Sequence, residues 1–187
     1  MYTGDEDRRD RFARYLLKIL ERAPYENITV TRVAEAADLP KRYFFQCFES
    51  KDQVLCYALD QKLEMFAAKT GKRTFTDICS AVRLLFSFFK EERHTMRLYI
   101  TNGQVAIIRD RCHAFLMKES QFECNLDGVD EEEERRYALY FIVNGIVGLL
   151  EQCVLEDSFS DEQADMLVNL VCRITGSASC SDDACAL

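Results

Sequence analysis

Four side chains of this 187-residue chain stand close together with a chemistry in common: Lys41, Arg42, Tyr43 and Gln46. Phe44 and Phe48 recur at i and i+4 beside them, so on a helix the rings turn to one side and the polar groups to the other. Guanidinium and amide groups on an exposed helix face can pair with base edges, and Arg bidentate to guanine is the commonest specific contact. Lys51, opening the next segment, stands where a cation and backbone N–H groups can meet a phosphate. Covalent chemistry has far less to work with. The chain has no G-x-S-x-G, phosphate-binding loop, G-x-G-x-x-G or H-E-x-x-H run. Its two histidines, His94 and His113, are far apart, and a helix would point the adjacent Cys112 and His113 to different faces. The nine cysteines include no C-x-x-C pair. With no signal peptide they are expected to stay reduced, mostly as small buried hydrophobes. The expectation is therefore no catalytic residue, no metal, no cofactor and no enzyme activity.

The elements that must position the four polar groups follow from their neighbours. Val30, Val33, Ala34 and Ala37 fall at i, i+3, i+4 and i+7, the apolar face of a helix, and Thr29 precedes it as an N-cap. Asp38-Leu39-Pro40 breaks the pattern, since Pro can start a helix but not continue one. Ser50-Lys51-Asp52-Gln53 matches a capping box and opens a further helix. The middle helix, of six or seven residues, is too short to be stable alone. It must be pinned by its neighbours, which is the logic of a helix-turn-helix: one helix braces while the next is offered to a DNA groove.

On these residues the stretch 29–55 resembles the DNA-binding motif of TetR-family transcriptional regulators. It aligns without a gap at Thr29, Val30, Val33, Ala34, Ala37, Leu39, Phe44, Phe45, Phe48, Ser50, Lys51 and Leu55. The resemblance implies an all-α fold with an N-terminal three-helix helix-turn-helix domain and connecting helix (residues 7–69). A C-terminal helical effector-binding and dimerisation domain (residues 72–175) would follow. It implies DNA contacts at Thr29, Thr31, Arg32, Lys41, Arg42, Tyr43, Gln46 and Lys51. It also implies a cytoplasmic homodimeric repressor whose partners are a double-stranded palindromic operator and a small-molecule effector, with no membrane. Where the family has a turn glycine this chain has Asp38, a residue that visits positive φ. The capping serine is Pro40, the small pair on the reading face is Arg42-Tyr43, and the Tyr and His near the helix end are Phe45 and Cys47. These exchanges keep two other readings open: a helical interaction protein without operator recognition, and a thiol- or metal-responsive regulator.

Composition agrees with a soluble globular chain: 48% apolar and 30% charged. Seven glycines and two prolines leave little room for a turn-rich β fold, so long amphipathic runs make an all-α fold the default. No apolar run is expected to reach the ~18 residues of a membrane span. The net charge of −8 is not that of a generic nucleic-acid binder. Through Leu55, however, ten basic residues balance ten acidic ones, so the acidity belongs to the later part. A first helix is predicted over Asp7–Arg22 from Phe12, Tyr15, Leu16, Ile19 and Leu20. Its arginines would be a solvated face balanced by Asp5, Glu6, Asp7 and Asp10, or phosphate contacts. Later helices are predicted to about Lys69, over Phe75–Glu92, His94–Ile100 and Val105 to about Cys124. Two more run from an Asp130 cap to Leu155 and from a Ser160 cap to Ile174, before a small polar tail (176–187) expected to be disordered.

The run from Phe141 to Leu150, followed by Ser160-Asp161-Glu162, is similar to the end of many TetR-family C-terminal domains, which implies a four-helix bundle with a second subunit. Its interface is expected at Tyr137, Phe141, Gly145, Ile146, Gly148, Leu149, Ala164, Leu167, Val168 and Val171. Gly145 and Gly148 would admit a partner helix, or pack closely within one subunit. The aromatic helices between residues 75 and 155 suggest a pocket for an uncharged or weakly polar organic effector, lined by Phe86, Phe89, Tyr99, Ile108, Cys112, Phe115, Phe141 and Asn144. Asn144 lies inside an apolar run and needs a partner, in a ligand or across an interface.

Overall fold

The computed structural model describes residues 4–70, 78–119 and 131–175. The expected helix start at Phe75, the loop at Asn125–Gly128, the Asp130 cap and the tail lie outside these residues. Among the described residues every regular element is helical: α1 (Gly4–Leu20), a 3-10 turn (Tyr25–Asn27), α2 (Val30–Ala36), α3 (Lys41–Cys47) and α4 (Lys51–Thr70). There follow α5 (Ile78–Glu91), α6 (Arg93–Thr101), α7 (Val105–Glu119), α8 (Glu131–Leu155) and α9 (Asp161–Ile174).

Local chemistry explains where these helices start and stop. Thr29 Oγ1 accepts from the Arg32 N–H at 3.1 Å and caps α2. Ser50 Oγ accepts from the Gln53 N–H at 3.2 Å, and Gln53 Oε1 reaches back to the N–H of Glu49 at 2.9 Å. The capping box is thus real but closes one residue earlier than the usual reciprocal bond. Pro40 precedes α3 with φ −57° and ψ 135° and gives no side-chain cap. α2 ends in a Schellman motif: the Leu39 N–H reaches the Ala34 carbonyl and the Asp38 N–H reaches the Glu35 carbonyl, both at 3.0 Å. Asp38 has φ +51°, so it fills the turn-glycine role as the sequence suggested. The same pair of bonds ends α6 at Gly103 and α8 at Asp157, where φ is +71° and +55°. α1 ends ahead of Pro24 with no left-handed residue, as the proline required.

The core is continuous from one end of the molecule to the other. Its N-terminal part is aromatic. Phe12 of α1 meets Phe44 at 5.3 Å and Phe48 at 6.5 Å between ring centroids, and Phe48 meets Tyr57 of α4 at 5.7 Å. This cluster is the neighbour that pins α3, whose own length could not. α4 packs on α1 at one end and on α7 at the other; α8 packs on α5, α6 and α7, and α9 on α5. Tyr99 of α6 is wholly buried and its hydroxyl donates to the Leu55 carbonyl of α4 at 2.7 Å. Lys62 of α4 pairs with Glu92 at 2.6 Å, and Arg111 of α7 with Asp60 of α4 at 3.4 Å. The helix that continues the reading motif is therefore tied to the later helices by backbone, ionic and apolar contacts.

Two expectations are corrected here. Cys79 and Cys172, 93 residues apart, are joined as a disulfide between α5 and α9, with Cα atoms 5.4 Å apart. Packing of two distant helices created a pairing that linear spacing could not show. And α8 is long and apolar enough to cross a membrane by length and composition, with mean hydropathy 1.7 over an 18-residue stretch within Glu132–Leu155. The interruptions by Asn144 and Glu151 hid this in the sequence. Its inner face is instead packed in the core, and Glu151 pairs with Arg109 of α7 at 3.0 Å.

Candidate nucleic-acid interface

Phe44 and Phe48 of the reading motif point into the aromatic core, which leaves Lys41, Arg42, Phe45 and Gln46 exposed together on the outer face of α3. Tyr43 is half-buried at the side of that face. Its ring lies between two guanidinium groups, Arg8 at 4.3 Å and Arg42 at 5.1 Å from the centroid. Hydrogen bonding from Arg42, then the charges of Arg42 and Arg8, hold its phenol below the ordinary value. Arg42 has no ion pair with a described carboxylate. The same is true of Arg9, Arg11, Arg14, Arg32 and Lys41 around it. A chain that is acidic overall thus keeps a local group of cations without described carboxylate partners beside α3, where a polyanion would find them.

The α1 arginines have a role that the sequence did not disclose. Arg11 donates to the Ala37 carbonyl at the end of α2 at 2.6 Å, and Arg9 reaches the Cys47 carbonyl at the end of α3 at 3.4 Å. Arg9 also lies over the rings of Phe48 and Tyr57, 5.2 and 5.1 Å away. Cations at helix C-termini favour the dipole and fill orphan carbonyls, so α1 clamps both helices of the motif. The signal available was the i, i+1, i+3 spacing of Arg8, Arg9 and Arg11, but nothing in it named the carbonyls.

Lys51 is placed differently from the expectation of a free phosphate ligand. Its ammonium donates to the carbonyls of Tyr25 at 2.9 Å and Ile28 at 2.6 Å and sits 4.2 Å from the Tyr25 ring centroid. Two of its three donors are taken by the fold, leaving one. Thr29, Thr31 and Arg32 are exposed at the start of α2, with Thr29 occupied as a cap.

The residues expected to line an effector pocket differ in burial. Phe86, Phe89, Tyr99, Ile108, Cys112 and Phe115 are core residues, with Phe86 and Phe89 in ring contact at 6.0 Å. Phe141, by contrast, is 77% exposed. Asn144 is half-buried near it and donates to the Tyr140 carbonyl of its own helix at 2.8 Å, which answers its need for a partner. A hollow of about 310 Å³ lies elsewhere, lined by Met117, Glu132, Glu133 and Arg136, and it includes none of the expected residues. Burial pushes the Cys112 thiol up to about 12 and also raises Cys47 and Cys56. Such thiols are protonated and poorly nucleophilic. Among the described residues no group of three His, Cys, Asp or Glu side chains could hold a metal ion.

The expected dimer residues divide into two sets. Tyr137, Phe141 and Gly145 are exposed, and Gly148, Leu149 and Val171 are half-buried. Ile146, Ala164, Leu167 and Val168 are buried within the single chain and belong to its own core. Tyr140, Leu155, Met166 and Ile174 are also exposed on α8 and α9. Helical periodicity marks apolar positions, but both stripes of a two-sided helix carry apolar residues, so it does not say which stripe the chain covers itself.

This arrangement of helices is the fold of TetR transcriptional regulators. It is similar to a TetR transcriptional regulator from Rhodococcus sp. RHA1, with TM-score 0.65 and 11% identity over 92% of this chain and 97% of that one. It is also similar to a tetR-family transcriptional regulator from Streptomyces coelicolor, with TM-score 0.51 and 14% identity over 91% and 79%. At these identities the likeness is one of fold. No protein-family profile matches the chain, and no curated protein sequence matches it.

Proposed function

We propose that the protein is a cytoplasmic one-component transcriptional regulator, a repressor that binds a palindromic operator as a homodimer through α3 and responds to a small-molecule effector. The observation that carries this reading is the outer face of α3: Lys41, Arg42 and Gln46 exposed together, backed by an aromatic core and flanked by cations without described carboxylate partners. A second copy is supported by α8. Tyr137 and Phe141 are 60% and 77% exposed, and Leu155 continues the same helix. A Cβ built on Gly145 or Gly148 meets nothing within 4 Å. Gly inside a helix costs about 0.5–1 kcal/mol against Ala, and no close packing among the described residues accounts for either. Close approach of a second α8 does. Effector response would use the ties from α4 to α6 and α7 at Leu55, Asp60 and Lys62, since an effector shifts the equilibrium only through different affinity for two arrangements.

Selection from a pool of random duplexes tests the reading. The expected result is enrichment of one sequence with two inverted half-sites separated by about one helical turn. A pool that stays random after repeated rounds at physiological salt would overturn it.

A further inference from the structure

Phe45 is 57% exposed, and among the described residues before Met65 it is the one large apolar side chain left in water to that degree. The other such residues lie on α4, α8 and α9. Phe45 is held in place: its ring meets the buried Phe44 edge-on at 5.6 Å, and the Lys41 ammonium stands 5.9 Å from its centroid. It is one turn from Arg42 on the same outer face of α3. A ring ordered from behind, exposed in front and flanked by cations is suited to an apolar spot on a polyanion. In the major groove the apolar spot is the C5 methyl of thymine, and it distinguishes that base from all others.

We propose that Phe45 is the apolar reading element of α3 and seats against a thymine methyl in the same half-site that Arg42 reads. The inference rests on the DNA-binding reading above, and the two can fail separately. The experiment uses the full chain and the duplex enriched by selection, with each thymine in turn replaced by deoxyuridine, which removes only the methyl. Wild-type protein and Phe45→Ala are compared by fluorescence anisotropy at fixed salt, with the urea midpoint of each protein as a folding control that this exposed position should not move. At one symmetric pair of thymines the wild type should lose roughly four-fold per half-site, the worth of one buried methyl. Phe45→Ala, already weaker on the unmodified duplex, should be indifferent to the same change. If every deoxyuridine duplex gives the same ratio between the two proteins, the inference is wrong although DNA reading stands. If Phe45→Ala weakens enriched and random duplexes equally, the ring packs on the sugar-phosphate backbone and the inference is again wrong. If no sequence is enriched at all, both readings fall.

Discussion

At the scale of single residues, Arg42 and Lys51 carry the clearest contrast. Arg42 hydrogen-bonds the Tyr43 phenol beside it and has no described carboxylate partner, so its remaining donors are available to a guanine. Replacing it by Ala should cost about 1–3 kcal/mol on the cognate duplex and flatten the preference at one base pair. Anisotropy with each base substituted at that position checks this, and equal losses on cognate and random DNA would assign Arg42 to phosphate instead. In the sequence Arg42 stands where a cation can meet a guanine, and Lys51 where one can meet a phosphate. The structure commits it to the carbonyls of Tyr25 and Ile28. Lys51→Ala should therefore lower folding stability by about 1–3 kcal/mol, the range for hydrogen bonds to a charged group less solvent screening. Urea denaturation without DNA reads that loss, and an unchanged midpoint would show that its bonds to the carbonyls contribute nothing.

At the scale of elements, the turn between α2 and α3 sets the angle at which the reading face is offered. Asp38 holds φ +51° there, a region that favours Gly over any side chain. Asp38→Gly should raise stability by roughly 0.5–1 kcal/mol, with an unchanged denaturant slope and unchanged DNA preference. A fall in stability would mean that the Asp side chain holds the turn by bonds of its own. Elements were the most legible feature of the sequence. Thr29, Pro40 and Ser50 mark helix starts by local chemistry, and the structure uses all three. What could not be read were bonds that depend on tertiary placement: Arg11 on the Ala37 carbonyl, Tyr99 on the Leu55 carbonyl, and Cys79 with Cys172. The candidate interface was half legible. The i, i+4 rings gave the outer face of α3, but the exposure of Phe45 on it depends on how α3 packs and is not written in the local pattern.

At the scale of the whole molecule, the two stripes of α8 should behave differently. Ile146 is 1% exposed, so Ile146→Arg buries a charge and should unfold the chain. Phe141→Arg, on the exposed stripe, should leave helix content intact and shift the scattering mass from near twice 21.7 kDa to near that value. A wild-type protein of single-chain mass at micromolar concentration would remove the second copy from the account. Acidity is also organised at this scale: the chain is neutral through Leu55 and negative beyond, so repulsion from DNA falls on the part distant in sequence from the reading helix. The central claim is that this reading helix selects a sequence rather than merely attracting a polyanion, and salt separates the two. Affinity for the enriched duplex and for a scrambled one should be measured across a salt series. The account predicts a gap of roughly 10³-fold or more near physiological salt, with both lines falling as salt rises. Two coincident lines would contradict it.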